Sequence, residues 1–261
     1  MNENSIEIDR QQRHDAVKKW LWMSCIWCWP IGVVGFFIGF ALIAGFVPPP
    51  SPAWSAQELA AFFAGDLTRI RFGILIALFA SSLLLPFYAV ISAEIKKIEG
   101  KPSLLAPIQF GGAVILVAFF QIISLAWITA SFRQDVSPEI TRMLNDYCWF
   151  VWSTLIPTYS LQYVCMAIAG FMDKRAQPLW PRWASYMNLW IAITGAGGGL
   201  AVFFKKGPFA WDGLIGFWIP VLVFAIGMCV TTGLLLRRYK LDEAQPAGRS
   251  VRSGAESFRP A

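Results

Sequence analysis

The chain has 261 residues, 56% of them hydrophobic and 15% charged, with a formal charge of +6. A soluble domain carries about 25% charged residues, so an ordinary water-soluble fold is excluded. The basic residues flank long apolar runs or sit in the C-terminal tail, where membrane orientation and anionic lipids account for them, and nucleic-acid binding is excluded on that placement.

Residues 1–19 are polar and mixed in charge, with an interfacial helix expected from Ile8 to Lys19. Six apolar runs then follow, with cores at Trp27–Val47, Phe72–Ile95, Ile108–Phe132, Trp149–Met172, Leu189–Phe204 and Leu214–Leu236. Each is near the ~20 residues that cross a ~30 Å hydrocarbon core as helix. The expectation is an all-α integral membrane bundle of six transmembrane helices over residues 20–240. Residues 241–261 are rich in Pro, Gly, Ser and Arg, and the expectation there is a disordered tail. The first run follows a long polar segment and ends in Val47-Pro48-Pro49-Pro50, which reads as a signal anchor and not a cleaved leader.

Between runs 1 and 2, Pro48-Pro49-Pro50-Ser51-Pro52 reads as extended chain. Ser55-Ala56-Gln57-Glu58 has capping-box spacing and opens a short outer interfacial helix near 55–64, with Leu59, Phe62 and Phe63 on one face. A second such element is expected after Ser137-Pro138. Each inward-running span starts near an aspartate and contains a proline: Asp66 and Pro86, Asp146 and Pro157, Asp212 and Pro220. This hints at three tandem hairpins. The prolines imply kinks, which either shape a cavity or serve packing alone.

Small residues mark helix contacts. Gly35 and Gly39 in span 1, and Gly195 and Gly199 in span 5, are spaced G-x-x-x-G. They support packing within the chain or contact with another copy or membrane partner. The run Gly197-Gly198-Gly199 offers a place for span 5 to unwind. Most of the 13 Trp residues cluster toward span ends, as an aromatic belt requires.

Chemistry is sparse. His14 is the single histidine, which excludes bis-histidine haem, histidine-rich di-iron sites and a Ser-His-Asp triad. No Walker A sequence occurs. Cys25 and Cys28 form C-x-x-C with no second pair to complete a zinc site, so no metal and no cofactor is expected. Glu94 reads as an interface residue paired with nearby lysines. Asp66, Arg69, Arg71, Asp146 and Asp212 form candidate outer-rim charges, with Arg71 either snorkelling or paired with Asp146 or Asp212; they line a shallow vestibule or form a solvated rim facing lipid phosphates. At mid-depth, Gln121, Tyr159, Gln162, Tyr163 and Tyr88 are polar side chains that must turn inward. They are either helix-to-helix stitching or a pocket for a small ligand.

The motifs Pro48-Pro49-Pro50-Ser51-Pro52 with Trp54-Ser55-Ala56-Gln57-Glu58, Arg71-Phe72-Gly73, Pro181-Arg182-Trp183 and Phe203-Phe204-Lys205-Lys206-Gly207-Pro208 with Phe217-Trp218-Ile219-Pro220 resemble an uncharacterised family of bacterial multispanning inner-membrane proteins. The resemblance covers residues 45–236 and implies a bacterial inner-membrane setting without a mechanism. Three readings of function stand at this point: binding or passage of a small apolar or amphipathic molecule, a structural subunit of a membrane complex, and a lipid-modifying enzyme using the outer-rim charges.

Orientation follows from charge. Arg69, Arg71, Arg133, Arg142, Lys205 and Lys206 fall on one side, and the other sixteen of the 22 Lys and Arg on the opposite side, which also carries both termini. The positive-inside rule makes that side cytoplasmic. A reporter fused after Lys240 is therefore expected to be active in the cytoplasm and silent as a periplasmic fusion.

Overall fold

The computed structural model describes residues 3–133, 135–154 and 156–244. Among them the chain is all-helical: α1 (Glu3–Phe37), α2 (Ala56–Gly65), α3 (Leu67–Ser82), α4 (Leu84–Glu99), α5 (Leu105–Phe132), α6 (Pro138–Thr154), α7 (Ile156–Met172), α8 (Arg182–Thr194) and α9 (Ile219–Ala244). These combine into six helical stretches long and apolar enough to cross a membrane: Arg10–Ile43, Leu67–Glu99, Leu105–Phe132, Pro138–Met172, Arg182–Phe203 and Leu214–Asp242. The Tyr239 hydroxyl donates to the Lys19 carbonyl over 3.4 Å, so the start of span 1 lies beside the end of span 6. The expected tail falls on residues 245–261, outside the described residues; residues 241–244 extend α9.

Span boundaries follow helix breakers. Ile8 to Trp29 contains neither Gly nor Pro, so the expected interfacial helix is continuous with span 1 and not separate from it. The same holds after Pro138: the expected second element is continuous with α6 and not a separate helix. The proline run is bent at Pro48 and turns at Pro52-Ala53, which restricts extended backbone to its middle.

Among the described residues, four of the six spans change pitch or break. Span 1 ends in a π turn, Ile38–Ile43. Span 2 breaks at Leu83, three residues before Pro86. Span 6 begins with a π turn, Leu214–Trp218, ahead of Pro220. A proline lacks the N–H that would pair with the carbonyl four residues back, and its ring crowds that carbonyl. Span 5 tightens into 3-10 helix over Gly195–Phe203 instead of unwinding. Span 3, which is α5, stays regular and packs against α3, α4, α6 and α7 at the centre of the bundle.

Glycine sets the closest approach. On span 1, Gly32, Gly35 and Gly39 face Ala80, Gly73 and Ala77 of α3. A Cβ at Gly32 would stand 2.9 Å from the Ala80 carbonyl oxygen. The candidate contact residues Gly35 and Gly39 are thus engaged inside the chain.

The core divides in two. At the end bearing α2, aromatic side chains dominate: Phe40, Phe46, Trp127, Trp149 and Phe217 are buried together. Helix α2 closes this end as a lid, held by a capping box in which Ser55 N–H donates to the Glu58 carboxylate (2.7 Å) and Glu58 N–H to the Ser55 hydroxyl (3.2 Å). The bond from the Ser55 amide, then that from its hydroxyl, holds the Glu58 carboxyl below its usual value. Phe62 and Phe63 press edge-on against Phe46 at 5.6 and 5.8 Å. At the other end Trp29, Phe87, Tyr88, Tyr163, Met166 and Trp180 pack together. The Trp belt is only half of the picture: Trp20, Trp27, Trp183 and Trp190 are exposed, whereas Trp29, Trp127, Trp149, Trp180 and Trp211 are buried.

A Cβ at Gly73 would collide with the Ala44 amide nitrogen and the Gly39 carbonyl oxygen, backbone that cannot swing aside. Gly111 has open space around it. Gly73→Val is expected to destabilise by about 1–3 kcal/mol, and Gly111→Ala to shift stability by no more than ~1 kcal/mol. Thermal unfolding of both variants in one detergent checks the contrast.

Candidate functional site

An apolar cavity of about 120 Å³ lies where the two core halves meet. Its lining draws on the irregular segments: Leu84 follows the break in span 2, Gly195 and Gly198 belong to the 3-10 stretch, and Gly216 and Pro220 flank the start of α9, while Ser153 lies near the end of α6. Gly32, Phe36 and Phe37 of span 1 complete one wall, with Leu116, Phe120 and Ile123 of α5 opposite. Counting four residues back from Pro157 and Pro220 gives Ser153 and Gly216, so these two residues were reachable from the proline rule although the sequence reading did not name them.

Trp152 forms the stiffest part of the lining. Its ring stacks on Phe40 at 5.4 Å, nearly parallel, and meets Phe120 edge-on at 5.4 Å. Ser153 and Tyr159 belong to this lining, and the Ser153 hydroxyl has no hydrogen-bond partner among the described residues. Gly195 makes room for the Tyr159 ring, since a Cβ there would lie 2.8 Å from it. Ser160 donates to the Ala192 carbonyl (2.7 Å), which ties α7 to α8 just below.

The mid-depth polar residues separate. Tyr159 lines the cavity, and its ring lies 4.9 Å from Tyr163, which is buried with Tyr88 in the adjoining core. Gln121 donates to the Ser82 hydroxyl (3.0 Å) and joins α5 to α3 away from the cavity. Gln162 packs against Gly112 of α5, donates weakly to the Thr158 carbonyl (3.4 Å) and leaves its own oxygen without a donor. Gln109 and Asn188, fully buried, were not singled out from the sequence; both their amide groups lack partners among the described residues.

The outer-rim charges do not converge. Asp66 caps α3 by accepting from the Arg69 amide (3.0 Å) and pairs with its guanidinium (3.6 Å). Arg71 donates to the Ser131 and Phe132 carbonyls at the C-terminus of α5, so it caps that helix and pairs with neither Asp146 nor Asp212. Asp146 lies in the field of Arg142 and Lys205. Gly195 is filled by Tyr159, Gly198 abuts the Ser153 carbonyl, and Gly199 is half-buried between them and Phe203, so the small-residue face of span 5 is largely used within the chain.

At the end of the bundle that carries both termini, a second pocket of about 180 Å³ opens between α1, α4 and α9. Glu94 is buried here and not merely interfacial: 3% of the residue is exposed. Lys97 donates to its Oε1 (2.5 Å), and Arg175 of the α7–α8 loop lies 3.8 Å from Oε2. Arg175 also donates twice to Asp173 (2.8 and 2.6 Å), which accepts the Leu179 amide as well. Burial raises the Asp173 carboxyl, but these bonds outweigh it and hold it below its usual range; the same bond to Asp173 raises Arg175.

No protein-family model matches the chain, and no curated protein or solved structure is similar to it. The site is therefore interpreted from its geometry alone.

Because the folded Asp173 carboxyl titrates below its unfolded value of about 3.9, its contribution is complete above that pH and is lost as pH falls through the folded value. Asp173→Asn is expected to cost about 1–3 kcal/mol at pH 7, with the gap to wild type narrowing at pH 3. Thermal unfolding at the two pH values tests this.

Proposed function

We propose that the protein is a non-catalytic, multi-pass protein of a bacterial inner membrane, with both termini cytoplasmic, that binds a small apolar or amphipathic molecule. The observation that carries this reading is the aromatic-walled cavity, with the unpartnered Ser153 hydroxyl in its lining, at the level where the irregular helices meet. An apolar cavity of ~150 Å³ in a protein interior admits benzene or xenon, so about 120 Å³ is room for a small ring or a short alkyl segment. Aromatic walls supply dispersion and edge contacts. Ser153 offers a donor and an acceptor, which suits a ligand with one hydroxyl or carbonyl among otherwise apolar atoms. Binding is favoured because an unpaired buried polar group costs about 1–3 kcal/mol, and such a ligand relieves that cost.

The test uses full-length protein in detergent, with 1-bromodecanol as a heavy-atom quencher of Trp152 fluorescence. The wild type should show saturable quenching. Val221→Phe, which fills the lining from α9, should weaken it by about tenfold, equivalent to ~1.4 kcal/mol. Trp152→Phe should remove the saturable component while leaving unfolding unchanged within ~1 kcal/mol. Quenching that rises linearly and equally in all three proteins overturns the proposal.

A further inference from the structure

Span 6 returns to span 1 to close the bundle, and it packs there more sparsely than any two spans consecutive in the chain. The seam between them is tied at each end by a hydrogen bond. Tyr239 donates to the Lys19 carbonyl at the terminal end, and the Trp211 indole N–H donates to the Pro50 carbonyl (2.9 Å) at the end bearing α2. Between these ties the burial changes. The face of α9 that carries Tyr239 continues at helical spacing through Leu235, Thr232 and Met228 to Ala225 and Val221. Leu235, Thr232 and Met228 are buried, as is Ile26 on α1. Ala225 and Val221 are only half-buried, as are Val33 and Phe37 of span 1. One position further round each helix the side chains face outward: Val34 and Leu222 are 59% and 62% exposed. Val33, Phe37 and Val221 also line the apolar cavity. The same side chains thus bound the cavity and reach the outer surface of the bundle.

We infer, on the reading of the cavity as a ligand site, that its ligand is the end of a bilayer lipid's acyl chain, and that the chain enters sideways through this seam. Among the described residues the lining holds no charged side chain, so nothing in it holds an ion or a charged head group. A volume of about 120 Å³ is less than the ~150 Å³ that admits benzene, so only a few carbons fit and the rest of a chain must lie outside. The seam gives that path at the right depth. Val33 and Ala225 lie ten and eleven residues from Ile43 and Leu214, the ends of their spans on the α2 side. That is about 15 Å of helix, half of a ~30 Å hydrocarbon core, which is where acyl chains end. Toward α2 the buried rings of Phe40, Trp127 and Trp149 close the way, with Leu59 and Phe63 over them. A chain already dissolved in hydrocarbon removes no apolar surface from water when it enters, so fit and packing decide its binding.

Full-length protein in nanodiscs of chain-brominated phosphatidylcholine tests this, with the quenching of Trp152 taken as the difference between wild type and Trp152→Phe. Bromines near the chain end should quench Trp152, and bromines near the ester carbonyl should not. Ala225 lies in the seam but outside the cavity lining. Ala225→Phe should therefore cut the chain-end quenching about fivefold or more. Bromoethane, small enough to be held whole, should still quench Trp152 saturably in that variant. Chain-end quenching that Ala225→Phe leaves unchanged overturns chain entry and leaves the cavity a ligand site. So does its absence from a wild type that bromoethane quenches saturably. A wild type that bromoethane does not quench saturably overturns both the ligand site and the chain entry. If Ala225→Phe does not fold, Ala225→Leu, a smaller step at the same place, is read in the same way.

Discussion

Backbone that leaves the α-helical ladder must find its hydrogen bonds inside the protein, because hydrocarbon offers none. Among the described residues this chain leaves the ladder in four of its six spans, and that constraint arranges the rest of the molecule. Pro157 and Pro220 each release a carbonyl four residues back, at Ser153 and Gly216. Both residues are buried and both line the same cavity. The 3-10 segment that begins at Gly195 comes to the same level from span 5. Irregular backbone from different helices is tolerated together because each irregular segment is shielded by the others. The cavity is the residue of that arrangement: bent and tightened helices do not fill the space that straight ones would.

Glycine and aromatic residues divide the remaining work. Glycine lets backbones approach where the break must be covered, as at Gly198 against the Ser153 carbonyl and Gly216 against that of Ala210. Aromatic rings fill the wider spaces left nearer α2, where Phe40 touches Phe46, Trp127, Trp149 and Trp152 within 6.0 Å. Rings of this size have few rotamers and large contact areas, so they make a stiff ceiling above the cavity, and α2 closes over it through Leu59 and Phe63.

The six spans and the capped outer helix were legible because they depend on local signals: apolar length, and serine three residues before glutamate. Continuity of α1 and α6 was less so, since polarity suggested an interface where only a breaker would have ended the helix. The Trp residues misled for a related reason. Trp149 and Trp152 lie near a span end in sequence, but three pitch changes and a lid lie at that end of the bundle, and both rings pack into its aromatic core. Arg71 could pair with aspartates on charge alone; the C-terminal carbonyls of α5 are an equally good acceptor and stand closer. Gln109 and Asn188 gave no signal, because a single amide in an apolar run reads alike whether it bridges helices or stands unpaired.

The distribution of polar groups separates structural from available chemistry. Asp173 receives donors from Arg175 and Leu179, and its register with the α7–α8 loop is fixed by them. Gln121 and Ser160 each find a partner on another helix. Groups with complete partners hold helices in place and have little to offer a ligand. Ser153 is different: it belongs to the lining of the apolar cavity and its hydroxyl has no partner among the described residues. In a medium of low dielectric such an atom is expensive to leave unmet, so the apolar cavity discriminates by shape and a single hydroxyl bond. The pocket at the terminal end is lined instead by charges already matched to one another, Glu94 with Lys97 and Arg175, and Arg238 with Asp242.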